Sequence, residues 1–166
     1  MDITETGWNV LKTRSRQEKV VEKCLVKKMI KVYLPKLVQP KQWKSRKTVV
    51  ESPLFPGYVF VKPRKEQLYE LNYIPGTCGL VVHGSTLGIV QEKELAAIRM
   101  VLAADVPFDM HAQVVPGTRV KVIVGPLAGV EGALVSLRNR HRLVINAEIL
   151  GQAVSVEINR NQIYCI

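Results

Sequence analysis

An α+β chain built as two units is the fold this sequence predicts, and three observations predict it. Helix-period segments alternate with short strand-like runs up to about residue 104. From about residue 114 only short runs of two-residue period remain. Between them ADVPFDMHAQVVPG carries two prolines and breaks both patterns. The 166 residues suffice for one ordinary domain or two small ones, and 47% hydrophobic with 23% charged residues is a globular balance.

The first element, WNVLKT at residues 8–13, reads as a strand of β-formers beside polar residues. SRQE at 15–18 fits a capping box, with the Ser15 oxygen accepting from a first-turn amide and Glu18 reaching back to the Ser15 amide. Val20, Val21, Cys24, Leu25 and Met29 then recur at helical spacing, opposite Lys19, Lys23 and Lys27. KVYLPKLV at 31–38 is a strand interrupted by Pro35, suited to an edge or bulge. PKQWKSRKT, polar and basic around Trp43, reads as a projecting loop or hairpin tip. YVFV at 58–61 is a compact buried strand ended by Pro63, and RKEQLYELNYI offers Leu68 and Leu71 for a short helix. CGLVVHG gives a further strand, and QEKELAAIRMVLA a helix with Leu95, Ile98 and Leu102 on one face. Strand, helix, strand, strand, helix, strand, helix is the order of a ferredoxin-like α/β sandwich, placed at residues 1–104, with a linker at 105–113. In residues 114–166, Val120 and Val122, Ala133 and Val135, and Val154 and Val156 keep the two-residue period of a small curled β-barrel.

Charge is spread unevenly. Residues 12–47 hold 13 Lys or Arg against Glu18 and Glu22, a net +11 within a chain of net +10. A local cationic face favours phosphate backbones without encoding a sequence preference, and equally describes a solvated helix face beside a basic loop. No apolar run approaches the roughly 20 residues that cross a bilayer, and the acidic start MDITETGW lacks the pattern of a signal peptide. A cytoplasmic protein with no membrane association is the expectation. Cys24, Cys78 and Cys165 form no CxxC pair and read as buried or inert thiols, so neither a metal nor another cofactor is expected. His83, His111 and His141 stand isolated, with no nucleophile elbow and no spaced carboxylate pair, which argues against an enzyme.

GTRVKVIVGPLAGVEGALVSL at 117–137 is, as physics, a tight strand connection. Pro126 follows Gly125, while Gly129 and Gly132 allow positive φ or close backbone contact on either side of Glu131. As a pattern it resembles the KOW motif that opens an SH3-like barrel in transcription and ribosomal proteins. Trp8 with Val10, Glu18, Leu34-Pro35 and LFPGYVFV at 54–61 resemble the N-terminal (NGN) domain of NusG proteins. With both in that order, the chain is identified as resembling the NusG family of transcription elongation factors. The spacing of ESPLFPGYVFVK and the short linker look closer to the specialised UpxY and RfaH-like antiterminators than to the housekeeping factor.

The resemblance implies an N-terminal domain whose apolar cleft grips the clamp helices of the largest RNA polymerase subunit and suppresses pausing, in a monomer serving a few long operons such as those for polysaccharides. Trp8, Phe55 and Tyr58 match the cleft's aromatic positions, and Tyr73 and Ile74 are expected to line it too. The plainer reading makes Trp8 and Tyr58 core. Lys41, Trp43, Lys44, Arg46 and Lys47 are expected to lie toward upstream or non-template DNA, Trp43 stacking on an unpaired base. The KOW unit implies a second partner, the ribosomal protein NusE or Rho, at the tip formed by Ile149 and Leu150. Leu150 stands where housekeeping proteins commonly present an aromatic residue, which leaves that partner open. In one branch of the family this unit rests as a helical hairpin; the β-branched residues of 117–158 make a barrel the expectation here. A housekeeping NusG and a KOW-type RNA-binding or ribosome-associated protein are the alternatives.

Overall fold

The computed structural model describes residues 7–166; the acidic opening read above, residues 1–6, lies outside the described residues. The chain divides into two compact units, one up to residue 89 and one from residue 90.

The first unit begins with β1 (Gly7–Thr13), α1 (Glu18–Lys27) and β2 (Lys31–Tyr33). β3 (Lys36–Trp43) and β4 (Arg46–Pro53) follow, then β5 (Tyr58–Lys62), α2 (Leu68–Leu71) and β6 (Thr77–Leu80). A small hairpin, β7 (Val82–His83) and β8 (Thr86–Leu87), comes next, and β9 (Ile89–Gln91) runs across the division. Strand order β2-β5-β1-β6, with β1 antiparallel to both β5 and β6 and β2 antiparallel to β5, is the order of the βαββαβ unit expected from the sequence.

Side chains alternate across this sheet, so its two faces differ in chemistry. One face is aliphatic: Leu11, Val59 and Val61 pack with Val21 and Leu25 of α1 and with Leu71 and Ile74 around α2. The other is aromatic, carrying Trp8, Tyr33 and Phe60. α1 starts at Glu18, later than the expected box at 15–18. Its N-cap is Gln17, whose side chain makes no capping bond, and Arg16 takes a positive φ of 62°, so Ser15 lies outside the helix.

The second unit holds α3 (Glu92–Ala103) and an antiparallel sheet of six strands: β10 (Phe108–His111), β11 (Thr118–Val122), β12 (Glu131–Leu137), β13 (Arg140–Ala147), β14 (Gln152–Glu157) and β15 (Ile163–Cys165). Their order is β10-β14-β13-β12-β11-β15, around buried Val120, Val122, Leu143, Ile145, Val154 and Val156. Gly132 is required by proximity: a Cβ there would sit 2.5 Å from the Val144 carbonyl oxygen of the paired strand. The segment expected to be an irregular linker carries β10, which pairs Phe108 with Val156 and Met110 with Val154. Its prolines hid a two-residue alternation. Cys24 is half-buried, whereas Cys78 and Cys165 are exposed rather than buried. Among the described residues no helix is long and apolar enough to cross a membrane.

Candidate functional site

The aromatic sheet face is organised by the turn that delivers β5. Tyr58 N donates to the Phe55 carbonyl at 3.2 Å, with Pro56 and Gly57 between them and Gly57 at φ 85°. Proline second and a positive-φ glycine third are what a type II turn requires. The turn is pinned from both sides. Glu18, itself buried, accepts from Gly57 N at 2.8 Å, and Thr13 N donates to the Gly57 carbonyl at 2.8 Å. Glu18 therefore caps a turn distant in sequence rather than its own helix.

This turn swings the Phe55 ring inward. Phe55 meets Phe60 edge-on at 6.0 Å, Phe60 stacks with Tyr33 at 6.4 Å, and Tyr33 meets Trp8 at 6.5 Å in a T-shaped contact. Lys31 Nζ lies 5.2 Å from the Trp8 ring centroid. Phe55 and Trp8 are each only 1% exposed. The expectation that these two rings face a partner is thus corrected: they are core that supports the face. Tyr58 and Tyr33 are half-buried, and Lys12, paired with Tyr58 across β1 and β5, is exposed beside them. Tyr33 went unremarked in the sequence, although Lys31 and Tyr33 share the period-2 alternation that sets the face.

Tyr73 and Ile74 do not join this site. Ile74 is buried in the aliphatic core, on the opposite side of the sheet. Tyr73 is 64% exposed and forms a hydroxyl pair with Tyr69, their ring centroids 5.0 Å apart. That hydrogen bond is the main cause raising the Tyr73 pKa above the usual tyrosine value.

The five residues expected to touch nucleic acid come together at the end of the β3–β4 hairpin. Trp43 pairs with Arg46, Gln42 with Lys47 and Lys41 with Thr48, and Lys44 begins the two-residue turn. Every residue from 38 to 51 is exposed. A two-stranded hairpin alone is marginal in water, so its base is what fixes it. Lys36 Nζ meets Glu22 Oε2 at 2.8 Å, Lys19 Nζ donates to the Glu51 carbonyl at 2.9 Å, and Leu54 N donates to the Pro35 carbonyl at 2.8 Å. Among the described residues, Lys41, Lys44, Arg46 and Lys47 have no acidic partner within 4.0 Å.

In the second unit Ile149 and Leu150 are half-buried in a 3-10 turn, Glu148–Leu150, closed by Gly151 N donating to the Glu148 carbonyl at 3.0 Å. One of the three histidines has a side-chain partner. His111 Nε2 lies 2.7 Å from Ser155 Oγ, and Arg142 Nε donates to the same oxygen at 2.9 Å while its Nη2 pairs with Asp109. A serine beside a histidine suggests a nucleophile, but Ser155 is 0% exposed and the carboxylate serves the arginine, so this is a clasp of β10 onto the barrel. Among the described residues no cluster of three His, Cys, Asp or Glu is placed to hold a metal.

Comparison with known proteins gives a consistent result. The family described as "Transcription termination factor nusG" matches residues 6–99. The chain is 27% identical to the transcription termination/antitermination protein NusG of Lactococcus lactis, covering 96% of this chain and 92% of that protein. It is 24% identical to the corresponding protein of Rickettsia prowazekii, covering 94% and 88%. Among solved structures, one described as domain interaction in Thermotoga maritima NusG matches with 24% identity and a TM-score of 0.48, over 97% of each chain.

Proposed function

The chain belongs to the NusG family of transcription termination factors, and on that premise we propose that it binds RNA polymerase and suppresses pausing or termination. As a NusG-like transcription termination/antitermination factor it is not an enzyme. The docking surface is the aromatic sheet face, presented to the clamp helices of the largest polymerase subunit. Tyr58 and Tyr33 make the contact, and Trp8 and Phe55 hold the sheet beneath them. The β3–β4 tip lies toward upstream or non-template DNA, and the barrel turn at Ile149 and Leu150 toward NusE or Rho. The one observation that carries this reading is a buried aromatic platform rimmed by half-buried tyrosines, in the same unit as a hairpin tip whose Lys41, Lys44, Arg46 and Lys47 have no acidic partner among the described residues.

The proposed domains are NGN at 1–104, a linker at 105–113 and KOW at 114–166; the family match to residue 99 supports counting most of α3 with the first. A monomer in the cytoplasm, acting on a few long operons of the polysaccharide type, fits the specialised UpxY and RfaH-like reading. The alignment along nearly the whole of general NusG proteins supports a housekeeping role as well, and genome-wide occupancy separates the two: a handful of transcription units or most of them. Purification of the tagged chain from its host at low salt tests the core proposal. Core RNA polymerase is expected with it; its absence overturns the reading, and ribosomal RNA in its place favours the KOW-type RNA-binding alternative.

A further inference from the structure

We propose that lysines at the two ends of the aromatic sheet face, Lys31 and Lys62 at one and Lys12 at the other, read carboxylates on the docking partner, so that the face takes an apolar helix with acidic residues two turns apart. The inference rests on the docking reading of this face and adds the charge by which it selects its partner.

The pairing register sets the arrangement. Directly paired residues share a face, and faces alternate along each strand. Phe60 pairs with Val10 on β1 and Tyr33 on β2, so the pairs two residues away on either side, Lys12 with Tyr58 and Lys31 with Lys62, fall on the same aromatic face. Like charges directly opposite one another cost stability. Nothing in the sheet offsets that cost: Trp8, Val10, Tyr33, Tyr58 and Phe60, which share the face, include no acid, and among the described residues Lys12, Lys31 and Lys62 have no acidic partner within 4.0 Å. Lys31 is exposed with its Nζ 5.2 Å from the Trp8 ring centroid, which holds that cation at the end of the platform. Lys12 is exposed and Lys62 half-buried. Along β5 the step from Tyr58, opposite Lys12, to Lys62, opposite Lys31, spans roughly 13 Å. Two turns of α-helix advance about 11 Å, and the flexible lysine stems cover the difference. A helix laid along β5 with an acid at each end of that interval answers both groups of cations, while apolar residues between them meet Tyr33 and Tyr58. A basic helix meets like charge at both ends and is refused.

The fluorescently labelled full chain is titrated with core RNA polymerase of its host at about 50 mM and about 500 mM salt. Wild type is compared with Lys12→Glu, Lys31→Glu and Lys62→Glu, and with Lys23→Glu as a control of equal charge change on the exposed side of α1, the helix that packs on the opposite sheet face. Each of the face variants is expected to bind about five- to thirtyfold more weakly than wild type at the lower salt and within about threefold of it at the higher, with Lys23→Glu within about twofold at both. Lys62→Glu gives the sharpest split. It sets a carboxylate opposite Lys31 in place of a like charge, so its thermal midpoint is expected to rise as its polymerase binding falls. Wild-type binding with unchanged affinity in the face variants, or an equal loss in Lys23→Glu, would overturn the proposal and leave the docking reading in place. Weaker binding of Lys62→Glu together with a lowered midpoint would mark a structural role and overturn it as well. A wild-type chain that binds no polymerase at either salt removes the docking reading and the proposal together.

Discussion

Phe55 and Trp43 lie in neighbouring stretches of the first unit, both aromatic and both expected to meet a partner, yet one ring is core and the other stands in water. The difference comes from what each strand pairs with. Phe55 opens the turn into β5, an inner strand of a four-strand path whose two faces are covered by aliphatic and aromatic side chains. A type II turn held by Glu18 leaves its ring only an inward course. Trp43 ends a two-stranded sheet with both faces exposed, so no core is available to it. Aromatic residues therefore take two kinds of place here: buried as a platform beneath a sheet face, and exposed at the end of an arm.

The sharpest way to break this comparison is to truncate the platform. Phe55→Ala is expected to destabilise the first unit by about 3–5 kcal/mol through lost burial and a residual cavity, seen as a lowered denaturant midpoint; a near-neutral change would mean the ring is not core. Next is the pin. Glu18→Ala removes the acceptor of the half-buried Gly57 amide and is expected to cost about 1–3 kcal/mol, with amide exchange speeding first at Gly57 and Tyr58. The arm responds with the opposite sign. Lys44 sits at φ 54°, a left-handed conformation that costs a non-glycine residue about 1 kcal/mol or more. Lys44→Gly is expected to slow amide exchange across β3 and β4 by about two- to fivefold while weakening nucleic-acid binding, so stability and function part company at one residue.

The smallest effect lies in the second unit. Burial is the largest cause holding the Glu94 carboxyl above its usual range; the bond from Gln91 N opposes it, and the Glu148 charge adds to it. A folded pKa above the unfolded one means the ionised carboxylate costs stability, a cost that fades as pH falls from the raised value and is gone below about 4.5. Glu148→Gln is expected to raise stability at pH 7 by about 0.2–0.5 kcal/mol, discounted for solvent screening, and to do nothing below that range in pH-dependent melts.

Much of the fold was legible because it is local pattern. YVFV, the helix over Leu95 and Ile98, and the alternating valines of the barrel announce themselves by period. What was not legible depends on partners distant in sequence. Glu18 has the spacing of a capping box, and nothing in SRQE reveals that Gly57 competes for its carboxylate. β3 and β4 carry polar residues and Pro40 where a strand is expected to alternate, so only the tip stood out. β10 was hidden by the prolines on either side of it. At the site, sequence found Trp8, Phe55 and Tyr58 together but not which of them turn outward, and it could not show that the sheet separates Tyr58 from Tyr73. The cluster around Trp43 was fully visible, because a hairpin end needs no tertiary partner to bring its residues together.

The most direct test of the account is the affinity of core RNA polymerase for the fluorescently labelled chain, wild type against Tyr58→Ala, with both shown to be folded by circular dichroism and thermal midpoint. Tyr58 is half-buried at the rim and its loss leaves the Trp8–Tyr33–Phe60–Phe55 platform in place, so the variant is expected to fold and to bind about thirtyfold more weakly, the effect of a hot-spot aromatic. A folded Tyr58→Ala chain that binds polymerase as tightly as wild type would contradict the claim that this sheet face is the docking surface.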